Sequence, residues 1–179
     1  MVAKELLVAF LSIASPDLPS DVDLDSAYCL AENIYHEASG ESLEGKAAVA
    51  SVTLNRVNDS RFPDTVCGVT KYATAFRDTG GRIPEMYKCA YSWYCDGKSD
   101  TVPLVVGGKV NPFNVDAFHD SVSIAVLALG GVIADNTNGA THYYNPRIVR
   151  QKPTWADIYP PVAEVGNHVF HLRPTGSLL

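Results

Sequence analysis

DSAYCLAENIYHEASGESLEGKAAVASVTLNRV, residues 25–57, holds two helical patterns in succession. In the first, Ala27, Ala31, Ile34 and Ala38 recur at spacings of four, three and four, which places them on one helical face. Asp23 or Asp25 is positioned to cap it, and Gly40 stops it. The second, Leu43–Val57, is apolar nearly all round (Ala47, Ala48, Val49, Ala50, Val52, Leu54, Val57), the pattern of a helix at the centre of a core. Downstream, residues 60–69 (SRFPDTVCGV) predict a turn and short helix, and the aromatic-rich Lys88–Tyr94 predicts a strand. Residues 96–114 read as loop with a short strand at Val102–Val106. A third strong helix is expected over about Asn114–Leu129, with Phe118, Val122, Ala125 and Leu129 on one face. Strands are expected at Ala140–Tyr144 and His168–Leu172, either side of a Pro/Trp loop at 145–161. The fold class is therefore α+β, mostly helical, with a small β-sheet and long loops.

The chain has 179 residues, 46% hydrophobic and 19% charged, enough to bury the core of one domain. Its longest apolar runs, Leu6–Ala14 and Ile124–Ala134, fall short of the roughly 20 residues that span a bilayer, so no stable membrane insertion is expected. Net charge is −6 and unevenly spread: residues 1–45 carry nine acidic side chains against Lys4 alone. Arg and Lys are scattered singly, without the basic stripe of a nucleic-acid binder, so nucleic acid is not expected as a partner. Lys4 followed by Leu6–Ala14 invites a signal-peptide reading. Glu5 spoils its charged n-region and no A-x-A site follows, so an amphipathic helix (Leu6, Leu7, Phe10, Leu11, Ala14) is expected instead. The expected organisation is an N-terminal helix and linker over 1–24, then one domain over 25–179.

The four cysteines, Cys29, Cys67, Cys89 and Cys95, include no C-x-x-C pair, so no structural zinc site is expected. They allow one or two disulfides, with Cys67 paired to Cys89 or Cys95, or four buried thiols. The densest chemical candidate is the segment Tyr35–Glu41. Glu37 falls at the C-terminal end of its helix, close to the apolar stripe. Partial burial, the like charges of Glu32, Glu41 and Glu44, and the negative end of the helix dipole would each raise its pKa. A carboxyl group that stays protonated near neutral pH is what a general acid requires.

Asn33-Ile34-Tyr35-His36-Glu37-Ala38-Ser39-Gly40-Glu41 resembles the N-I-Y-x-E-A-x-G-E signature of the SleB/CwlJ-type cell-wall hydrolases. The likeness continues through Glu44–Val57, Arg61–Val69, Cys89–Gly97, Ala140–Asn145, Trp155 and Gly166–Phe170, about residues 26–172 in all. Ser39 stands where the family commonly has Arg, and Ala90 where it has Gln. The resemblance implies a lysozyme-like fold and a peptidoglycan-cleaving enzyme with Glu37 as its catalytic acid. Glu41, the motif's second acid, is either a loop-bracing acceptor or a second site group, and Asp96 is the other carboxylate near a motif.

A retaining glycosidase needs two carboxylates about 5 Å apart and an inverting one about 6.5–9.5 Å. A lytic transglycosylase needs one glutamate. The favoured expectation is cleavage of the MurNAc-GlcNAc β-1,4 bond to 1,6-anhydro-MurNAc ends, with no cofactor and no metal. Tyr91, Ser92 and Trp93 on the Cys-flanked strand, and the cluster His142, Tyr143, Tyr144 and Asn145, are the expected sugar-binding walls. His36 is expected to face away, His168 to be a satisfied core histidine, and Trp155 to be a core plug or a lid. The setting expected is a monomeric phage endolysin, made in the host cytoplasm and acting on peptidoglycan of the cell wall. Alternatives are a two-carboxylate muramidase or glucosaminidase, a wall-remodelling or germination enzyme, and a non-catalytic peptidoglycan-binding module. Two others, a thiol peptidase built on Cys29 or Cys95 with His142 and a zinc amidase, lack motif support.

Overall fold

The computed structural model describes residues 22–78, 80 and 83–175, so the helix expected at Leu6–Ala14 lies outside the described residues. Helix α1, Leu24–Ala38, starts at Asp23, whose carboxylate accepts from the backbone N–H groups of Asp25 and Ser26 at 3.4 and 2.9 Å. It buries the expected stripe of Ala27, Ala31, Ile34 and Ala38. After a turn at Ser39–Gly40, Ser42 caps α2, Leu43–Val57, by accepting from the Gly45 N–H at 3.3 Å. Helix α2 is buried without a break from Gly45 to Thr53, as its all-round apolar pattern requires. A short α3, Val66–Thr70, follows. Helix α4, Pro112–Leu129, has Asn111 as cap and a proline in its first turn, where no N–H is needed.

The strands are short. Val105–Val106 (β1) and Lys109–Val110 (β2) form a hairpin across Gly107-Gly108, both at positive φ (59° and 78°), the backbone that a tight two-residue turn requires. His142–Tyr144 (β3), Pro161–Val165 (β4) and His168–His171 (β5) make an antiparallel sheet in the order β3-β5-β4. Tyr143 lies opposite Phe170, and Val165 opposite His168 across the Gly166-Asn167 turn.

Three clusters of buried side chains hold these elements. Leu30, Ile34, Val49, Phe118 and Val122 join α1, α2 and α4. Ala48, Val52, Ala140 and Phe170 dock the sheet on α2. Val69, Tyr91 and Trp93 pin the 91–95 segment onto α3. Each fully buried Leu, Ile or Val contributes roughly 1.5–3 kcal/mol. Tyr143 packs against all three clusters.

Two expectations are corrected. Lys88–Tyr94 is not a strand: Cys89 makes an isolated bridge to Ala73, and Ser92–Cys95 is a 3-10 turn. The reason is covalent. Cys89 and Cys95 form a disulfide with their Cα atoms 6.2 Å apart, whereas six strand steps would hold them about 20 Å apart. The second disulfide joins Cys29 to Cys67, so Cys67 pairs with neither Cys89 nor Cys95. Strand β4, at the end of the Pro-rich loop, was not expected. It begins on Pro161, a residue that sheets accept at an edge strand's start.

The two bridges have separable consequences. Cys29–Cys67 ties α1 to α3 across 38 residues and is worth about 4 kcal/mol by chain entropy, against about 2 kcal/mol for the six-residue separation of Cys89–Cys95. In denaturant titrations of paired Cys→Ser variants, the Cys29/Cys67 pair is expected to lose more stability. If the segment carrying Ser92 and Trp93 binds sugar as the resemblance implies, the Cys89/Cys95 pair is expected to lose more glycan-cleaving activity, about tenfold, because that bridge closes it. The reverse ranking in activity would contradict this division.

Candidate active site

Glu37 sits on the last turn of α1 and is partly exposed at the floor of a cavity of about 530 Å³. Ser92, Trp93 and Asp96 come to the same cavity from the 3-10 turn, and Tyr143, Tyr144, Asn145 and His168 from the sheet side. Glu37 Oε2 accepts a hydrogen bond of 2.8 Å from the Tyr143 hydroxyl. Burial pushes the Glu37 carboxyl above the ordinary glutamate range, opposed by the Tyr143 hydrogen bond and by the Arg56 guanidinium. Desolvation is thus the cause. The like charges invoked from sequence play no part: Glu32 lies beside Tyr28 and Lys71, and Glu41 turns to Asn167. Burial, then the Glu37 charge, drives the Tyr143 hydroxyl far above its usual range, so it remains a donor.

Behind this pair is a connected polar network. Arg56, 6% exposed, donates from Nε to the Thr141 carbonyl at 2.8 Å, and its guanidinium lies 4.6 Å from the Tyr91 ring centroid. Thr53 donates its hydroxyl proton to the Val49 carbonyl and therefore accepts from Tyr91 Oη at 2.7 Å and from Asn33 Nδ2 at 3.2 Å. Asn33 Oδ1 in turn accepts from the Trp93 indole at 2.8 Å. The network fixes the Trp93 ring in the cavity wall.

The remaining expected site residues divide. Asp96 lines the cavity, but its carboxylate accepts from the Lys98 N–H at 2.8 Å and pairs with the Lys98 ammonium at 3.2 Å, which holds its carboxyl below the usual range. Glu41 is a brace: its two oxygens accept from the Asn167 backbone and side chain at 3.2 and 2.8 Å, tying the α1–α2 corner to the β4–β5 turn. A Cβ at Gly166 would collide with that carboxylate. Tyr91 is 2% exposed and bonded to Thr53, so it lies beneath the wall and not on it. His142 faces a different hollow, between Trp155 and Tyr159 at 5.1 and 4.9 Å. Trp155 stands there too and does not cover Glu37.

Sequence reasoning misplaced two histidines. His36 lines the Glu37 cavity, stacked on Trp93 at 4.7 Å and bonded to the Asp100 carbonyl at 2.9 Å. His168 is not a satisfied core histidine: its Nδ1 is buried without a hydrogen-bond partner, its ring packs edge-on against Tyr143, and burial lowers its pKa. Arg56 and Asn33 were missed as site support because their role depends on partners far away in the chain. Cys29 and Cys95 are both in disulfides, which leaves the thiol-peptidase alternative without a thiolate.

A mostly helical domain whose half-buried acid looks out between a helix end and a small antiparallel sheet is a lysozyme-like arrangement. The catalytic domain of the germination-specific lytic transglycosylase SleB from Bacillus anthracis is similar in structure, with a TM-score of 0.52 at 25% identity over 86% of this chain and 98% of that one. The spore cortex-lytic enzyme of Oceanobacillus iheyensis is 29% identical over 157 residues, 87% of this chain and 45% of that protein. That of Bacillus subtilis is 27% identical over 155 residues, 86% and 40%. The chain spans less than half the length of these curated relatives. The Cell Wall Hydrolase family profile matches residues 40–171, and the chain belongs to that family. Glu37 stands just before the first matched residue.

Proposed function

We propose that this protein cleaves the glycan strands of peptidoglycan as a lytic transglycosylase with Glu37 as the single acid/base. The observation that carries the proposal is one half-buried, hydrogen-bonded carboxyl at the floor of an open cavity, with Glu41 turned away to Asn167 and Asp96, which shares the cavity, paired with Lys98. With Tyr143 on Oε2, Oε1 is the oxygen left to carry the proton. Glu37 gives that proton to the glycosidic oxygen as the C1–O bond of the muramyl residue breaks. The carboxylate so formed, stabilised by Tyr143 and the nearby Arg56, then takes the proton of the sugar's own C6 hydroxyl as O6 bonds to C1. Glu37 ends protonated, no water is consumed, and the product is a 1,6-anhydro-muramyl end. The stacked His36 and Trp93 offer a sugar-binding face beside it.

Membership of a cell-wall hydrolase family and the SleB-like fold support this chemistry. The spore setting is favoured by the relatives' names, and phage-mediated host lysis by the sequence expectation alone. The test is mass spectrometry of soluble fragments from purified sacculi, with spore cortex and vegetative wall as parallel substrates. Anhydro-muramyl ends are expected. Reducing muramyl ends would replace the proposal with hydrolysis and make Asp96 the second carboxylate to test. Release of no fragment from either substrate would leave the binding-module alternative.

A further inference from the structure

Tyr143, which bonds Glu37, also lines a second hollow of about 750 Å³. Four cations reach it, Arg56, Arg61, Lys88 and Arg173, and among the described residues no carboxylate lines it, in a chain whose net charge is −6. Asp59, bound to Arg61, is the acid that approaches from behind. Arg56 is buried on backbone carbonyls and contributes field more than contact, whereas Lys88 is exposed and Arg173 half-exposed. The same field is felt by His142, whose pKa burial and then Arg56, Arg173 and Arg61 push down to about 3. Phe62 and Trp155 supply apolar wall between the charges. On the rim Tyr87 holds φ at 63° and is 81% exposed, a backbone that bulky side chains rarely adopt.

We propose that this hollow binds the carboxylate-bearing peptide stem of the strand whose sugars occupy the Glu37 cavity. The proposal rests on the glycan-strand function above. A muramyl residue seated at Glu37 carries its peptide on the same ring. Tyr143, shared by both hollows, is the wall past which that peptide runs. Cations meet the stem's free carboxylates, and the aromatic wall meets its alanine methyl groups. The enzyme is then selective for peptide-substituted strands and slower on bare glycan.

The experiment compares intact sacculi with sacculi stripped of peptide by an amidase, using wild type and Lys88→Glu. Wild type is expected to digest the intact strands faster. Lys88→Glu is expected to lose kcat/KM through KM, by a factor at least about fivefold greater on intact than on stripped strands. About 1 M salt, where the Debye length is about 3 Å, should shrink the wild-type preference. Equal digestion of both substrates by wild type, or equal losses on both by the variant, would overturn the peptide site and leave the glycan function standing. Digestion of neither would overturn the glycan function. Calorimetric titration of free stem tetrapeptide then judges the hollow directly: binding weakened by Lys88→Glu supports the site, and no binding overturns it.

Discussion

Glu37→Gln is expected to slow glycan-strand cleavage by about 10²–10⁴-fold, the usual contribution of a positioned general acid, while leaving affinity for sacculi nearly unchanged. The amide keeps the shape and can still accept from Tyr143, but it has no proton to give to the leaving oxygen. The variant also carries a signature in stability. The folded-state pKa of Glu37 is raised by burial, so wild type is most stable while this carboxyl is protonated and loses stability as pH rises through the raised value. The substituted amide does not titrate. Denaturation curves of the two proteins should therefore diverge as pH rises through that value, with the variant the more stable on the alkaline side. Cleavage that survives the substitution within about threefold would remove Glu37 from the chemistry.

Arg56→Met is the second large effect. The arginine side chain is 6% exposed and donates to the Thr141 carbonyl at 2.8 Å, with the Tyr91 and Phe62 rings 4.6 and 5.4 Å from the guanidinium. Loss of a buried charged donor and two cation–π contacts is expected to cost about 2–4 kcal/mol in urea titrations. The chemistry shifts as well. Arg56 lowers the Glu37 pKa, so its removal raises that pKa further, and the alkaline limb of the kcat/KM profile should move to higher pH. A limb that stays in place while stability falls would confine Arg56 to structure.

Much of the helical frame was legible from periodicity. Helix α2 runs over the expected Leu43–Val57, and α1 and α4 differ from expectation by one or two residues at their starts. Caps supplied by Asp23, Ser42 and Asn111 leave local marks that a sequence displays. Segment 89–95 was misjudged because alternating aromatics look like a strand when the covalent loop closure between Cys89 and Cys95 is unknown. Site placement was legible wherever one helix turn decides it, as for Glu37. It was not legible for His36, whose neighbour Trp93 is far away in the chain, nor for Tyr91 and His142, whose direction depends on which core each one meets. Glu41 shows the same limit: the motif names the acid, and only the distant Asn167 reveals it as a brace.

Tyr143 touches all three packed clusters, so the hydrogen bond it gives Glu37 depends on all three being assembled. Before helices, sheet and disulfide-closed turn have docked, Glu37 has neither its burial nor its phenolic donor. Its carboxyl then lacks the desolvation that raises its pKa in the folded protein. On the proposed function, the general acid is therefore completed by folding itself, since both its raised pKa and its hydrogen bond from Tyr143 come from contacts between distant segments.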